Sequence, residues 1–346
     1  MISPTKDKQR LLVFIVAYNA ERTIEGVLRR IPHDLAEAYH VEILIIDDSS
    51  KDGTFERGHA LKQAEELPFT LHILYNPVNQ GYGGNQKIGY HFAIERGFDF
   101  VALVHGDGQY APECLPDLMA PLTEGAADAV FGSRMMTRGA ALRGGMPLYK
   151  FVGNKILSWL ENRMLRTDLT EFHSGYRVYS VAALRNIPFH LNSDVFHFDT
   201  EIIIQFVFAG LRIRELPIPT YYGDEICHVD GLKYAWDVVK AVLMSRAQEL
   251  NLLYDPKYDC RTTEIENAHY EIKRDYCSPH TETLARVGPG ARILDLGCAG
   301  GYMGVLLRQE RNAVVTGVDM FPLAEGNKLD AFILHDLNAG PPPTPL

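Results

Sequence analysis

The stretch Val41-Glu42-Ile43-Leu44-Ile45-Ile46-Asp47-Asp48-Ser49-Ser50-Lys51-Asp52-Gly53-Thr54 runs from an apolar segment into two adjacent acids and then a turn. A short apolar run bounded by Ser, Asp and Gly reads as a strand buried on both faces, Val41–Asp47, with a helix starting after Gly53. The same grammar repeats on either side. Leu11–Ala17 is an apolar run that passes into polar Tyr18-Asn19-Ala20-Glu21. Glu21–Ile31 carries Ile24, Val27, Leu28 and Ile31 on one helical face, which predicts a helix capped by Asn19 or Thr23 and ended by Pro32. Beyond it we expect a strand at Thr70–Tyr75, a helix over Asn85–Arg96 with Gly97 as its C-terminal cap, a strand at Phe100–Val104, a helix opened by Pro112, and a strand at Ala129–Gly132. Strands alternating with helices predict an α/β fold, a mixed, mostly parallel Rossmann-like sheet with helices on both faces. Ligands of such sheets bind beyond the carboxyl ends of the strands. The polar clusters Tyr18-Asn19, Asp47-Asp48, Asn76 to Gln80 and His105 to Gln109 fall at those ends.

A chain of 346 residues suggests two domains, and 46% hydrophobic with 23% charged residues is the balance of a folded globular protein. The net charge of -10 argues against a nucleic-acid partner and leaves room for a local basic pocket. Cys114, Cys227, Cys260, Cys277 and Cys298 form no CxxC pair, so we expect free thiols in a reducing, cytoplasmic compartment rather than disulfides or zinc. Lys6, Lys8 and Arg10 precede an apolar run too short for a signal peptide. No apolar stretch reaches the roughly 18 residues of a membrane helix, so any membrane work would be peripheral, at the inner face.

Two constellations carry chemistry. A carboxylate at Asp47 or Asp48 can accept from a base N–H or from ribose hydroxyls, although the same residues also serve as a helix cap and turn. Side chains alternate along a strand, so one of the two acids is expected to face a ligand. Residues at i, i+2 and i+4 of an extended segment share a side, so His105, Asp107 and Gln109 are expected to face one point. Imidazole, carboxylate and amide oxygen suit Mn²⁺ better than Ca²⁺, and such an ion bridges phosphates and stabilises a leaving diphosphate. A tight glycine turn with a lone carboxylate is the other reading of that spacing.

Taken in order, Val16-Ala17-Tyr18-Asn19-Ala20-Glu21, Asp47-Asp48 to Gly53-Thr54, Asn79-Gln80-Gly81-Tyr82-Gly83-Gly84, His105 to Gln109 and Gly132-Ser133-Arg134 resemble glycosyltransferase family 2, and most of all its dolichyl- and polyprenyl-phosphate sugar synthases. The resemblance covers roughly residues 10–225. It implies a GT-A fold, a nucleotide-diphosphate-sugar donor, Mg²⁺ or Mn²⁺, inversion at the anomeric carbon, and a polyprenyl-phosphate or glycan acceptor. It implies donor binding by Ala17, Tyr18, Asn19, Glu21, Asp47, Asp48, Gly81 and Gly106, and metal binding by His105, Asp107 and Gln109. Arg134, Lys150, Arg177 and Lys233 take the acceptor and phosphate contacts, with Asp107 and Arg134 also in the catalytic set. Asp199 and Glu201, in Phe198-Asp199-Thr200-Glu201, supply a base if the acceptor is a sugar hydroxyl, or simply acids at a helix start. A lipid phosphate needs no strong base, its second pKa lying near ~6. The pattern departs at His105, where an acid is usual, at Val16 and Ala20, and at Tyr221-Tyr222-Gly223-Asp224-Glu225, which stands where a basic element is usual. Glu171-Phe172-His173 separates the halves of another motif, Asp168-Leu169-Thr170 and Ser174-Gly175-Tyr176-Arg177.

We therefore divide the chain into a glycosyltransferase-like domain (1–255), a linker (256–282) and a further α/β unit (283–346). There, a strand at Ala291–Leu296, a loop Gly297-Cys298-Ala299-Gly300-Gly301, a helix over Met303–Arg311 and a strand Val314–Val318 resemble the first part of class I S-adenosylmethionine-dependent methyltransferases. The resemblance implies cofactor contacts from Asp295, Gly297, Gly301 and Asp319 in an incomplete site, so no methyl transfer is expected from this unit as it stands. A non-catalytic nucleotide-sugar-binding module and a nucleotidyltransferase are the competing readings of the first domain.

Overall fold

The structure, a computed structural model, describes residues 8–64, 67–222, 230–260, 272 and 274–342. The sequence features at Gly223-Asp224-Glu225, Cys227, residues 261–271 of the expected linker and Pro343–Pro345 lie outside the described residues. The chain divides into two compact units, Met1–Thr262 and Thr263–Leu346.

The first unit is built on seven strands: β1 (Arg10–Ala17), β2 (His40–Asp47), β3 (Thr70–Tyr75), β4 (Phe100–His105), β5 (Ala129–Ser133), β6 (Arg177–Ser180) and β7 (Ile213–Pro217), in the order β3-β2-β1-β4-β6-β5-β7. β3, β2, β1 and β4 run parallel, and β5 runs parallel to β7. β6 runs antiparallel to both β4 and β5, a break that four residues beginning with arginine did not signal. The helices are α1 (Ile24–Arg29), α2 (Leu35–Ala38), α3 (Thr54–Ala64), α4 (Gly81–Glu95), α5 (Leu115–Thr123), α6 (Ala140–Arg143), α7 (Leu148–Leu165), α8 (Val181–Arg185), α9 (Phe198–Phe208) and α10 (Gly231–Glu249).

Alternation along β1 separates two cores. Leu11, Val13 and Ile15 face Val27 and Leu28 of α1 and Leu118 and Met119 of α5. Leu12 and Phe14 face Tyr90 of α4 and Ile203 and Phe206 of α9. All of these are essentially inaccessible to solvent, and each such side chain contributes about 1.5–3 kcal/mol to burial. Gly89 lets α4 lie against β1, because a Cβ there would sit 2.2 Å from Phe14 Cε1. Several expectations shift locally, the helix expected over Glu21–Ile31 spanning Ile24–Arg29. α4 begins at Gly81 rather than Asn85. Thr23 stands at the start of α1 without capping it, because its hydroxyl donates to Gly106 O at 2.6 Å instead.

The second unit holds β8 (Arg292–Leu296), β9 (Val314–Asp319) and β10 (Ala331–Leu334), all parallel in the order β10-β9-β8, with α11 (Pro279–Arg286) and α12 (Tyr302–Arg311). Leu284, Leu306, Leu307 and Val315 form its core.

Candidate functional site

The carboxyl ends of β2, β1 and β4 lie side by side, since Asp47 pairs with Ala17 and His105 with Val16. With strands about 4.8 Å apart, Asp47 and His105 are about 10 Å apart across β1. The loops after β1 and β2 are stitched together. Asn19, in the left-handed region at φ 51°, donates its N–H to Ser50 Oγ at 2.8 Å and accepts from Lys51 N at 2.9 Å. Ala20 N donates to Thr54 Oγ1 at 2.8 Å, and Glu21 Oε2 accepts from Gly53 N at 3.1 Å. Ala17 O accepts from Asp48 N at 2.9 Å. Tyr18 stands exposed at the rim of these loops.

The two adjacent acids are used differently. Asp48 Oδ1 accepts from Asn76 Nδ2 and from Gln80 N, both at 2.8 Å, and so holds the loop after β3. Asp47 Oδ1 accepts from Ser50 N at 2.8 Å, while its buried Oδ2 has no partner among the described residues. A buried carboxylate oxygen without a donor is costly.

Gly81 packs against a neighbouring loop. A Cβ there would lie 2.5 Å from Asp194 O, and Gly83 N donates to the same oxygen at 2.8 Å. These glycines let the start of α4 approach the 193–194 backbone. Gly106 N donates to Val16 O at 2.9 Å, which ties β4 to β1 at the site.

The extended run expected from His105 to Gln109 does not form. β4 ends at His105, and the chain turns through Gly108 at φ 77°. The three side chains therefore do not line up by alternation. Asp107 is exposed, and its Oδ1 accepts from Gln109 N at 3.0 Å. His105 points into protein: its ring meets Tyr110 edge-on at 4.9 Å between centroids, and Nε2 lies 3.1 Å from Tyr82 Oη. Burial holds the imidazole below its ordinary pKa against the opposing pull of Asp107 and Asp199. Burial and the Asp199 charge push the Tyr82 phenol well up. Among the described residues no three His, Cys, Asp or Glu side chains gather as a metal cage.

Arg134 is nearly buried. Its Nη2 and Nε donate to Glu171 Oε1 at 2.5 and 3.0 Å, its backbone N–H donates to Glu171 Oε2 at 2.7 Å, and Nη1 donates to Tyr222 Oη at 3.2 Å. Burial works against both ions, but each is carried by the other: Glu171 is held below the usual carboxylate range and Arg134 above its own. Asn154 Nδ2 also donates to Glu171 at 2.8 Å, and Lys150 Nζ lies 5.2 Å from the Tyr222 ring centre. The expected free phosphate-contacting arginine is thus already paired, through the Glu171 that splits the sequence motif.

Arg177 is a clearer correction. It is fully buried and donates to Ser174 O, Asp199 O and Phe172 O at 2.8, 2.9 and 2.7 Å. No face remains for an acceptor phosphate. Glu201 is likewise committed, accepting from Ser193 N at 2.6 Å and Lys257 Nζ at 2.8 Å. Asp199 is recessed rather than open to an acceptor hydroxyl, with Tyr82 Oη and Gln86 Nε2 donating to its two oxygens at 3.1 and 3.2 Å. Lys233 is exposed and pairs with Asp237 at 3.1 Å. Sequence reasoning did not single out Tyr82, Gln86, Tyr110, Glu171 or Tyr222. Tyr82 stood inside a quoted glycine motif, and Glu171 and Tyr222 at quoted departures from the family pattern, but Gln86 and Tyr110 carried no local signal.

The model of the family described as "Glycosyl transferase family 2" matches residues 12–187. The chain belongs to glycosyl transferase family 2. It is a glycosyltransferase with a mostly parallel GT-A-type sheet. It is 31% identical over 214 residues to the undecaprenyl-phosphate mannosyltransferase of Micrococcus luteus, covering 60% of this chain and 82% of that one. It is 28% identical over 226 residues to the UDP-N-acetylglucosamine–dolichyl-phosphate N-acetylglucosaminyltransferase of Methanococcus voltae, covering 62% and 86%. Glucosyl-3-phosphoglycerate synthase from Mycobacterium tuberculosis, solved with Mn²⁺, UDP and glucosyl-3-phosphoglycerate, shares the fold with a TM-score of 0.51 at 20% identity, over 69% of this chain and 80% of that one.

In the second unit, Gly297 and Gly301 take φ of 77° and 81° and bend the chain from β8 towards α12. Asp319 accepts from Ala299 N at 2.7 Å and from Phe321 N at 2.9 Å. One oxygen braces the glycine loop and the other closes the turn that follows β9. Burial and Asp319 together raise the pKa of Asp295.

Proposed function

We propose that this glycosyltransferase moves a sugar, with inversion, from a nucleotide-diphosphate donor to a polyprenyl phosphate at the inner face of a membrane. The unpartnered Asp47 Oδ2 carries the donor half of this reading: it is a buried acceptor at the strand end beside Asn19, placed for a nucleoside N–H or hydroxyl. Asp107 would hold Mg²⁺ or Mn²⁺. A single exposed carboxylate with His105 close by in sequence fits an ion that takes one or two protein ligands and the rest from water and substrate phosphates. When bound, the ion would offset charge on the leaving diphosphate. Lys150 beside Tyr222, next to the paired Arg134, is the basic group we assign to the phosphate side of the site.

The acceptor half is supported by an exposed apolar ridge on α7 and α10, helices that pack together. Val152, Ile156 and Trp159 lie exposed on α7, and Leu232, Trp236 and Leu243 on α10. Lys155, Arg163 and Lys240 are exposed on the same helices. Indole rings and basic side chains beside an apolar stripe suit the headgroup boundary of an anionic bilayer. Among the described residues no helix is long and apolar enough to cross a membrane. For the second unit we derive no methyl transfer.

The test is a matrix of UDP- and GDP-sugars against polyprenyl phosphate and glycan acceptors with Mn²⁺, reading nucleotide release. Asp107→Ala should lower turnover at least about a hundredfold, as loss of one transition-state electrostatic contact does. Unchanged donor turnover in that variant would reject the metal assignment, and transfer to glycan but not to lipid phosphate would reject the acceptor.

A further inference from the structure

The family resemblance implies an acid where His105 stands, and the surroundings of its ring define which nitrogen holds the proton. A tyrosine hydroxyl has one hydrogen to give. Tyr82 donates it to Asp199 Oδ2 at 3.1 Å. Asp199 is the counter-ion of buried Arg177, with Oδ2 3.6 Å from Nη2, and Gln86 Nε2 donates to its other oxygen at 3.2 Å. The Tyr82 oxygen is left to act as acceptor towards His105 Nε2, 3.1 Å away. Nε2 therefore carries the hydrogen, and in the neutral ring the lone pair falls on Nδ1. Among the described residues no hydrogen bond is made to Nδ1.

We infer that Asp199 and Tyr82 are positioning residues that fix the His105 tautomer, so that Nδ1 keeps its lone pair for the divalent cation proposed at Asp107. The inference rests on the metal role proposed for Asp107 and adds a neutral second ligand where an acid is usual. A hydrogen bond that fixes the tautomer of a ligating histidine also orients the ring. Three otherwise unrelated features converge on this relay. Asp199 is recessed and already accepts two hydrogen bonds. Tyr82 is stacked on Phe196, with ring centres 5.3 Å apart at 25°. Gly175 clears the space around Nε2, because a Cβ there would lie 2.4 Å from it.

The experiment reads the tautomer directly. In full-length protein with ¹⁵N-labelled histidine, two-bond ¹H–¹⁵N correlation should show His105 Nε2 with a protonated, pyrrole-type shift and Nδ1 with an unprotonated, pyridine-type shift. His105→Gln assigns the signals. Tyr82→Phe keeps the ring and its stacking on Phe196 and removes only the hydroxyl. It should mix the two tautomers and weaken Mn²⁺ affinity in the presence of UDP about tenfold to a hundredfold, as loss of such partners does, measured by electron paramagnetic resonance. A reversed shift pattern in the wild type overturns the inference. So does a Tyr82→Phe protein with wild-type Mn²⁺ affinity while Asp107→Ala has lost it, a result that leaves the metal site standing. Wild-type affinity in Asp107→Ala removes the metal reading itself, and the relay with it.

Discussion

Replacing Arg177 by Met separates two roles that the motif alone does not distinguish. Methionine fills similar volume over the Phe131 ring, which the guanidinium carbon covers at 4.7 Å, but removes every donor. Three buried carbonyls, Phe172 O, Ser174 O and Asp199 O, then lose their partner, and Asp199 loses its counter-ion. Breaking a buried pair from one side costs about 3–5 kcal/mol. With a urea slope of about 2–3 kcal/mol/M, the unfolding midpoint should fall by about 1–2.5 M. Near-ultraviolet circular dichroism is the suitable probe, because Tyr90, Tyr176, Tyr179 and Tyr258 are all buried in the first unit. Arg177→Lys should fall between the two, since one ammonium cannot reproduce a planar fork. If Arg177 were an acceptor-phosphate contact, the midpoint would stay put, as surface changes usually leave stability within about 0.5 kcal/mol, and only the acceptor KM would rise. That result would refute the structural role argued here.

Gly175→Ala should bring a methyl group against His105 Nε2 and Tyr82 Oη, at 2.4 and 2.9 Å from the ideal Cβ. Overpacking of this kind costs about 1–3 kcal/mol, so the midpoint should drop less than in Arg177→Met while the His105 ¹⁵N shifts move; unmoved shifts would show that the loop does not press on the ring. Hydrogen bonds from Arg212 hold the Asp128 carboxyl below its ordinary 3.8. The folded-state value lies under the unfolded one, so this stabilisation is complete above the ordinary value and is lost as pH falls through the folded one. Asp128→Asn should flatten that part of the acid limb of a stability–pH curve by no more than about 1 kcal/mol, the pair being partly exposed; an unchanged limb would show that the pair contributes nothing.

Periodicity was sufficient wherever an element buries one face or both. β1, β2, β3 and β4 are long apolar runs with polar ends, and their ends mark the site. Register then followed, since parallel neighbours bring Ala17, Asp47 and His105 level. What the sequence concealed was partner choice. Asp47 and Asp48 are chemically identical, and only the position of Asn76 and Gln80 commits one of them. Arg134 and Arg177 both read as phosphate ligands because arginine serves either purpose. Glu171, far from Arg134 in sequence, and the carbonyls just ahead of Arg177 turn them into structure. The glycine at 81 was expected to contact the donor, but the group that approaches the glycines at 81 and 83 is the 193–194 backbone, more than a hundred residues away in sequence.

The antiparallel strand explains why so many of these partners come from one loop. In a wholly parallel sheet, only segments that follow strands reach the carboxyl-end crevice. β6 runs the other way between β4 and β5, with Arg177 opposite Leu103 of β4 and Phe131 of β5. Its beginning therefore lies where its neighbours finish, and the segment leading into it enters the site. That segment supplies Glu171 to Arg134, the Phe172 and Ser174 carbonyls to Arg177, and Gly175 to the face of His105. It also places His173 within 2.8 Å of Tyr234 on α10 and 3.2 Å of Glu161 on α7. One short loop thus links the ring beside the proposed cation, the paired guanidinium and the two helices that carry the apolar ridge. All of these contacts come from residues that a strand-by-strand reading of the sequence assigns to a connection.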